Sequence, residues 1–120
     1  MIVAGKAWGE TRTLFSANNV EIHRIAVRAG GHCSKHRHAA KFIAFYVESG
    51  ELAVKAWKTD YDLIDETVLG PGQMTVVPPG EFHEFVARED TVAFEIYSTT
   101  LDPHDIERET CGGVARPATD

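Results

Sequence analysis

Apolar and polar side chains alternate along this chain in short segments, and none of these sustains the repeat of an amphipathic helix. Each segment stops at a turn signal, which predicts strands. Residues 20–28 are rich in β-branched side chains and end at Ala29-Gly30-Gly31. An apolar run over 42–47 reaches Glu48-Ser49-Gly50, and 51–58 continues as the next strand before the polar turn Thr59-Asp60-Tyr61-Asp62. Residues 63–69 run into Gly70-Pro71-Gly72, and 74–77 into Pro78-Pro79-Gly80, both sharp breakers. The last two segments, 82–88 and 91–98, are predicted to pair as a hairpin across Glu89-Asp90.

The pattern is that of an all-β domain, a small β-barrel or jelly roll with glycine and proline at its strand corners. At most one short C-terminal helix is expected, with Asp102 as its cap, Pro103 in its first turn, and Asp105 and Glu107 at the positive end of its dipole. There is no linker, repeat or low-complexity segment, so residues 1–120 read as one domain.

Composition narrows the partners. The balance of 43% hydrophobic and 25% charged residues is that of a soluble globular protein. A net charge of −6 argues against nucleic acid and anionic membrane surfaces, which call for a basic patch. The N-terminal residues do not read as a signal peptide, and no apolar run approaches the ~20 residues of a membrane-spanning helix. Cys33 and Cys111, without an export signal, are expected as free thiols in the cytoplasm.

The candidate chemistry lies in the histidines. His36 and His38 are one residue apart, so on an extended strand they point to one side. His83, from another strand, can close a triangle with them. Neutral imidazole suits Zn, Fe, Ni and Cu alike.

In order along the chain, Gly30, His36, His38 and Gly50, then Gly72, Pro78, Gly80 and His83, resemble the two motifs of the cupin superfamily, G-x5-H-x-H-x(3,4)-E-x6-G and G-x5-P-x-G-x2-H-x3-N. The resemblance covers residues 20–98. It implies the cupin barrel, a divalent metal ion on His36, His38 and His83, and a homodimer. Zn or Fe is the first expectation for the ion, with Mn or Ni as further fits. The chain departs from the pattern twice. Ile43 stands where the family carries its glutamate ligand, and Ala87 where it often carries asparagine. Three histidines then remain, as in cupins resembling thiol and diketone dioxygenases. Such a set leaves an ion its full charge and open positions for a ligand.

Two further residues are candidates for proton transfer. Lys41 follows the H-x-H pair and can act as a base or bind an anion, or can be a solvated lysine at a strand end. Glu95 shares a strand face with Ala93 and Tyr97, and is a general base if that face points inward. The opposite face carries Val92, Phe94 and Ile96, so the expectation is that Glu95 is solvated. His32 is expected at the rim, His23 as a half-buried or exposed strand residue, His104 in solvent, and Cys33 outward or in the barrel wall. Phe82 is expected to shape the entrance. The tail, L-x-x-x-D-I-x-R from Leu101 to Arg108, is similar to the end of cupin-type phosphomannose isomerases.

The resemblance therefore implies a small metal-binding cupin acting on a carbohydrate-type or sugar-phosphate substrate in an isomerase-like reaction, with a small polar or anionic ligand as its partner. Two alternatives stay open: a three-histidine Fe(II) centre working with oxygen, and a barrel that binds a small ligand without catalysis.

Overall fold

A computed structural model describes residues 3–58, 63–99 and 109. Every regular element among them is a strand: β1 (Val3–Lys6), β2 (Gly9–Ser16), β3 (Val20–Val27), β4 (Phe42–Ser49), β5 (Leu52–Trp57), β6 (Ile64–Leu69), β7 (Met74–Val77), β8 (Phe82–Ala87) and β9 (Thr91–Ser98). Among the described residues no helix is long and apolar enough to cross a membrane. The expected tail helix, His104, Cys111 and the L-x-x-x-D-I-x-R stretch lie outside the described residues.

Two antiparallel sheets face one another as a jelly roll, one ordered β1-β2-β3-β9-β4-β7 and the other β6-β5-β8. The strands anticipated from 20 onward fall within one or two residues of their predicted bounds. The hairpin β1–β2 was not anticipated: Val3–Lys6 and Gly9–Ser16 mix charge, glycine and apolar residues, and no residue of either strand is buried.

The predicted pairing of 82–88 with 91–98 does not form. β8 pairs with β5, whereas β9 lies between β3 and β4 in the other sheet. At Glu89-Asp90 the chain changes sheets, and side chains hold that corner. Ala29 N donates to Asp90 Oδ1 at 2.9 Å, Glu51 N donates to Thr91 Oγ1 at 3.1 Å, and Thr91 Oγ1 donates to Glu89 O at 2.8 Å.

The core lies between the sheets. Ile25 and Val27 of β3, Ile43, Phe45 and Val47 of β4, Leu52 and Val54 of β5, and Phe85 of β8 are buried there. Alternate positions of β4, β8 and β9 are buried, the period-two pattern of strands with one face against a core. On β9 the inward set is Thr91, Ala93, Glu95 and Tyr97, and the outward set is Val92, Phe94 and Ile96. The expectation of a solvated Glu95 is therefore corrected: the more polar face of this strand is the one turned inward.

The H-x-H pair is not on a regular strand either. Residues 28–41 run along the free edge of β8 through two isolated bridges, His32↔Val86 and His36↔His83. Between those bridges the segment advances by four residues and β8 by three. One extra residue in a ladder is a bulge, and it reverses which side chains face inward. Cys33 is therefore buried, with its Sγ 3.2 Å from Phe85 N, rather than turned outward, and His32 is exposed.

Candidate metal centre

His36 and His83 meet because their backbones are bridged: His36 N donates to His83 O at 3.1 Å, and His83 N donates to His36 O at 2.8 Å. His38 is held by its carbonyl, which accepts from Gly80 N at 2.8 Å, so the proline-glycine turn of the second motif grips the histidine segment of the first. The rings lie 4.5 Å apart for His36 and His83, 5.2 Å for His36 and His38, and 5.5 Å for His38 and His83. One potential ligand nitrogen from each falls within 4.8 Å of the others. The three histidines anticipated from the motifs thus come together, and His32 is not among them.

The donor set fits a divalent ion. His83 is 1% exposed, and the Nε2 atoms of His38 and His83 are buried without a hydrogen-bond partner. A buried nitrogen left unpartnered is costly unless something occupies its lone pair. The opposite nitrogens of two rings are engaged: His36 Nδ1 lies 2.7 Å from Ser34 O, and His83 Nδ1 lies 3.2 Å from Glu81 O. A carbonyl only accepts, so each Nδ1 carries the proton and each Nε2 offers a lone pair to the common centre. Burial also favours neutral rings. It lowers the pKa of His38, helped by the charges of His36 and Lys41. Burial likewise lowers that of His83, opposed by the Glu81 carbonyl and helped by His36 and His38.

Beside the histidines is a cavity of about 350 Å3, within the size range of small-ligand sites. His36 and Ser34 line it from the bulged segment, Glu95 and Tyr97 from β9, His23 from β3, and Trp8 from the β1–β2 turn. Glu95 sits in a cross-strand row between Phe45 of β4 and His23 of β3. It is 8% exposed, and Tyr97 Oη donates to its Oε2 at 3.1 Å. Burial raises the Glu95 pKa; the Tyr97 hydrogen bond and the charges of His23, His36 and Lys6 oppose this. Burial and the neighbouring carboxylate hold the Tyr97 hydroxyl well above its usual range. Cys33 also lines the cavity, its thiol pushed up to about 12, mainly by burial.

Lys41 does not line this cavity. Its ammonium lies 5.6 Å from the centre of the Tyr97 ring and borders a separate small depression. Ile43, at the position of the family's glutamate, is 1% exposed among core side chains. Phe82 is partly exposed at the start of β8, beneath the Arg37 guanidinium at 4.7 Å. Two contributors escaped the sequence. Tyr97 was accessible by parity, two residues beyond Glu95. Trp8 left no signal, because the hairpin that carries it was not recognised.

A two-sheet jelly roll with three converging histidines inside it defines the class of a small barrel with a candidate metal site. Residues 23–100 match the family model of the cupin domain, and the chain belongs to that family. It is 34% identical over 64 residues to germin-like protein subfamily T member 3 of Arabidopsis thaliana, covering 53% of this chain and only 28% of that protein. Among solved structures it is similar to KdgF from Halomonas sp., with a TM-score of 0.71 and 18% identity, over 85% of this chain and 89% of that one. It is also similar to the capsular polysaccharide assembling protein CapF of Staphylococcus aureus, with a TM-score of 0.74 and 17% identity, over 87% of this chain and 30% of that one. At such identities the two structural likenesses speak to the fold alone.

Proposed function

We propose that this cupin holds one divalent ion on His36, His38 and His83, and uses Glu95 to move a proton on a small carbohydrate-type or sugar-phosphate ligand in the adjoining cavity. The reaction is isomerase-like. The observation that carries the reading is a buried carboxylate on the same cavity wall as His36. When bound, the ion supplies a Lewis acid and an anchor for ligand oxygens.

The chain's own residues supply the rest. Burial disfavours the charged form of Glu95, which makes it a stronger proton acceptor than an exposed carboxylate. Tyr97 fixes the carboxylate through its Oε2, leaving Oε1 to take a proton from one ligand carbon and return it to the next. Trp8 and Phe85, edge to face at 5.2 Å, give the cavity an apolar wall. Lys41, outside the cavity, has an anion-binding rather than a base role.

The test is proton exchange. Metal-loaded protein incubated in D2O with mannose 6-phosphate, glucose 6-phosphate and fructose 6-phosphate should exchange a carbon-bound proton in at least one of them. Glu95→Gln should stop the exchange while retaining metal. Exchange that survives in Glu95→Gln removes Glu95 from the reaction, and no exchange in any of the three removes the isomerase reading.

One observation favours a second reading. Ile43 provides no carboxylate ligand, the arrangement of three-histidine Fe(II) cupins that work with oxygen. Iron in the purified protein, with an absorption band on nitric oxide addition, would support it; zinc would exclude it.

A further inference from the structure

The histidine segment carries Lys35, Arg37 and Lys41, three cations in a chain of net charge −6. Among the described residues none of the three lies in an ion pair, whereas Arg12, Arg24, Lys58 and Arg88 all do. They rest instead on aromatic faces: Lys35 over Trp57 at 4.1 Å, Arg37 over Phe82 at 4.7 Å and Lys41 over Tyr97 at 5.6 Å. An aromatic face orients a cation without neutralising it, and the charge stays available to an anion.

Lys41 has a place to use that charge. It borders a depression of about 90 Å3, room for a group of a few heavy atoms rather than for a sugar ring. The other polar side chains there include Ser16, Asn18, Asn19, Ser98 and Thr99. Hydroxyls and amides offer donors suited to anionic oxygens. Among the described residues the one carboxylate in the lining, Glu21, lies 3.5 Å from His23 Nε2. Tyr97 is common to this depression and to the Glu95 cavity, so the two adjoin at that residue.

We infer that the depression around Lys41 is a subsite for the phosphate group of a ligand whose remaining atoms lie in the Glu95 cavity. This rests on the reading of that cavity as the ligand site and narrows its ligands to phosphorylated ones. Lys41 supplies the charge, and the β2–β3 turn and the end of β9 supply neutral donors. Tyr97, which lines both hollows, is where the two parts of the ligand would meet.

The test is calorimetric titration of metal-loaded and metal-stripped protein with mannose 6-phosphate, with mannose and with inorganic phosphate. Lys41→Met should weaken mannose 6-phosphate roughly tenfold or more, the loss of one charge-assisted contact, and should leave mannose unchanged. Lys41→Arg should restore most of the affinity, and metal content should be the same in all three proteins. Equal affinity of wild type and Lys41→Met for mannose 6-phosphate, with binding still dependent on metal, overturns the subsite and spares the proposed function. Lys41-dependent binding that ignores the metal has the reverse meaning: the subsite stands and the metal-assisted reading falls. Failure of wild type to bind either mannose 6-phosphate or inorganic phosphate at millimolar concentration overturns the subsite outright.

Discussion

His36 and His83 exchange both of their backbone hydrogen bonds, at 3.1 and 2.8 Å, which sets their rings 4.5 Å apart. One of the two belongs to an irregular segment and the other to the start of β8. The bridge therefore makes the position of a side chain on a bulged edge as definite as that of one on a strand. The histidine cluster is assembled by the backbone before any ion is considered.

Removal of one ring should be enough to empty the centre. His36→Ala and His83→Ala are each expected to bind less divalent metal than wild type, measured by mass spectrometry after purification without chelator, with β-sheet circular dichroism unchanged. The apolar core on Ile25, Phe45 and Phe85 does not depend on an ion. Retention of full metal in His83→Ala would count against the assignment.

The lowered pKa values of His38 and His83 set the pH dependence. Rings that resist protonation stay available to a metal below the ordinary value of 6.5, so half-release should occur at a pH below 6.5. In metal-free protein the sign is destabilising. As pH falls from 6.5, the unfolded chain takes up protons that the folded rings refuse, and stability declines until the folded pKa values are passed. Metal content and melting temperature followed from pH 8 to about pH 4 check both statements.

Glu95 works in the opposite direction. Its raised pKa means that the ionised form costs stability at neutral pH, and protonation relieves that cost as pH falls through the folded value towards 4.5. Glu95→Gln in metal-stripped protein should therefore melt several degrees higher than wild type at pH 7. The difference should shrink as the pH is lowered and vanish below about 4.5. A melting temperature unchanged at pH 7 would show that the carboxylate is not strained by burial.

Ile43→Glu places a carboxylate in the core where most cupins keep a ligand. With Ile43 1% exposed, the metal-free variant should lose about 3 kcal/mol or more in urea denaturation. Recovery of that loss on adding Mn(II) would show that the new carboxylate reaches the ion.

Two glycines of the motifs should differ sharply. A Cβ on Gly50 (φ +92) would lie 2.4 Å from Asp90 O and 2.5 Å from Thr91 Oγ1, at the corner where the chain changes sheets. Gly50→Ala should cost more than ~2 kcal/mol, from backbone conformation and collision together. Gly72 (φ +79) has nothing within 4 Å of that position, and Gly72→Ala should cost only ~1 kcal/mol. Denaturant midpoints of the two variants test the contrast.

What the sequence disclosed follows from the range of each interaction. The three histidines, Gly50, Pro78 and Gly80 were legible because local spacing and turn chemistry define them. The facing of Glu95 was not. Period two divides β9 into two faces, and hydrophobicity pointed to Val92, Phe94 and Ile96, yet the cavity side needed the polar set. Partners on β3 and β4 decide that facing, and local sequence does not reveal them. The β8–β9 hairpin failed for the same reason, since Glu89-Asp90 fits a tight turn equally well whether the chain returns beside itself or crosses to another sheet. The bulge between His32 and His36 escaped because parity counting assumes an unbroken ladder.

The β1–β2 hairpin lies before the matched family segment of 23–100, yet Lys6, Trp8 and Thr11 from it face the same cavity as His36 and Glu95. The three histidines and part of the cavity wall are thus written in separable stretches of the gene. Exchange of the first sixteen residues between relatives would redraw that wall while leaving the three histidines as they are.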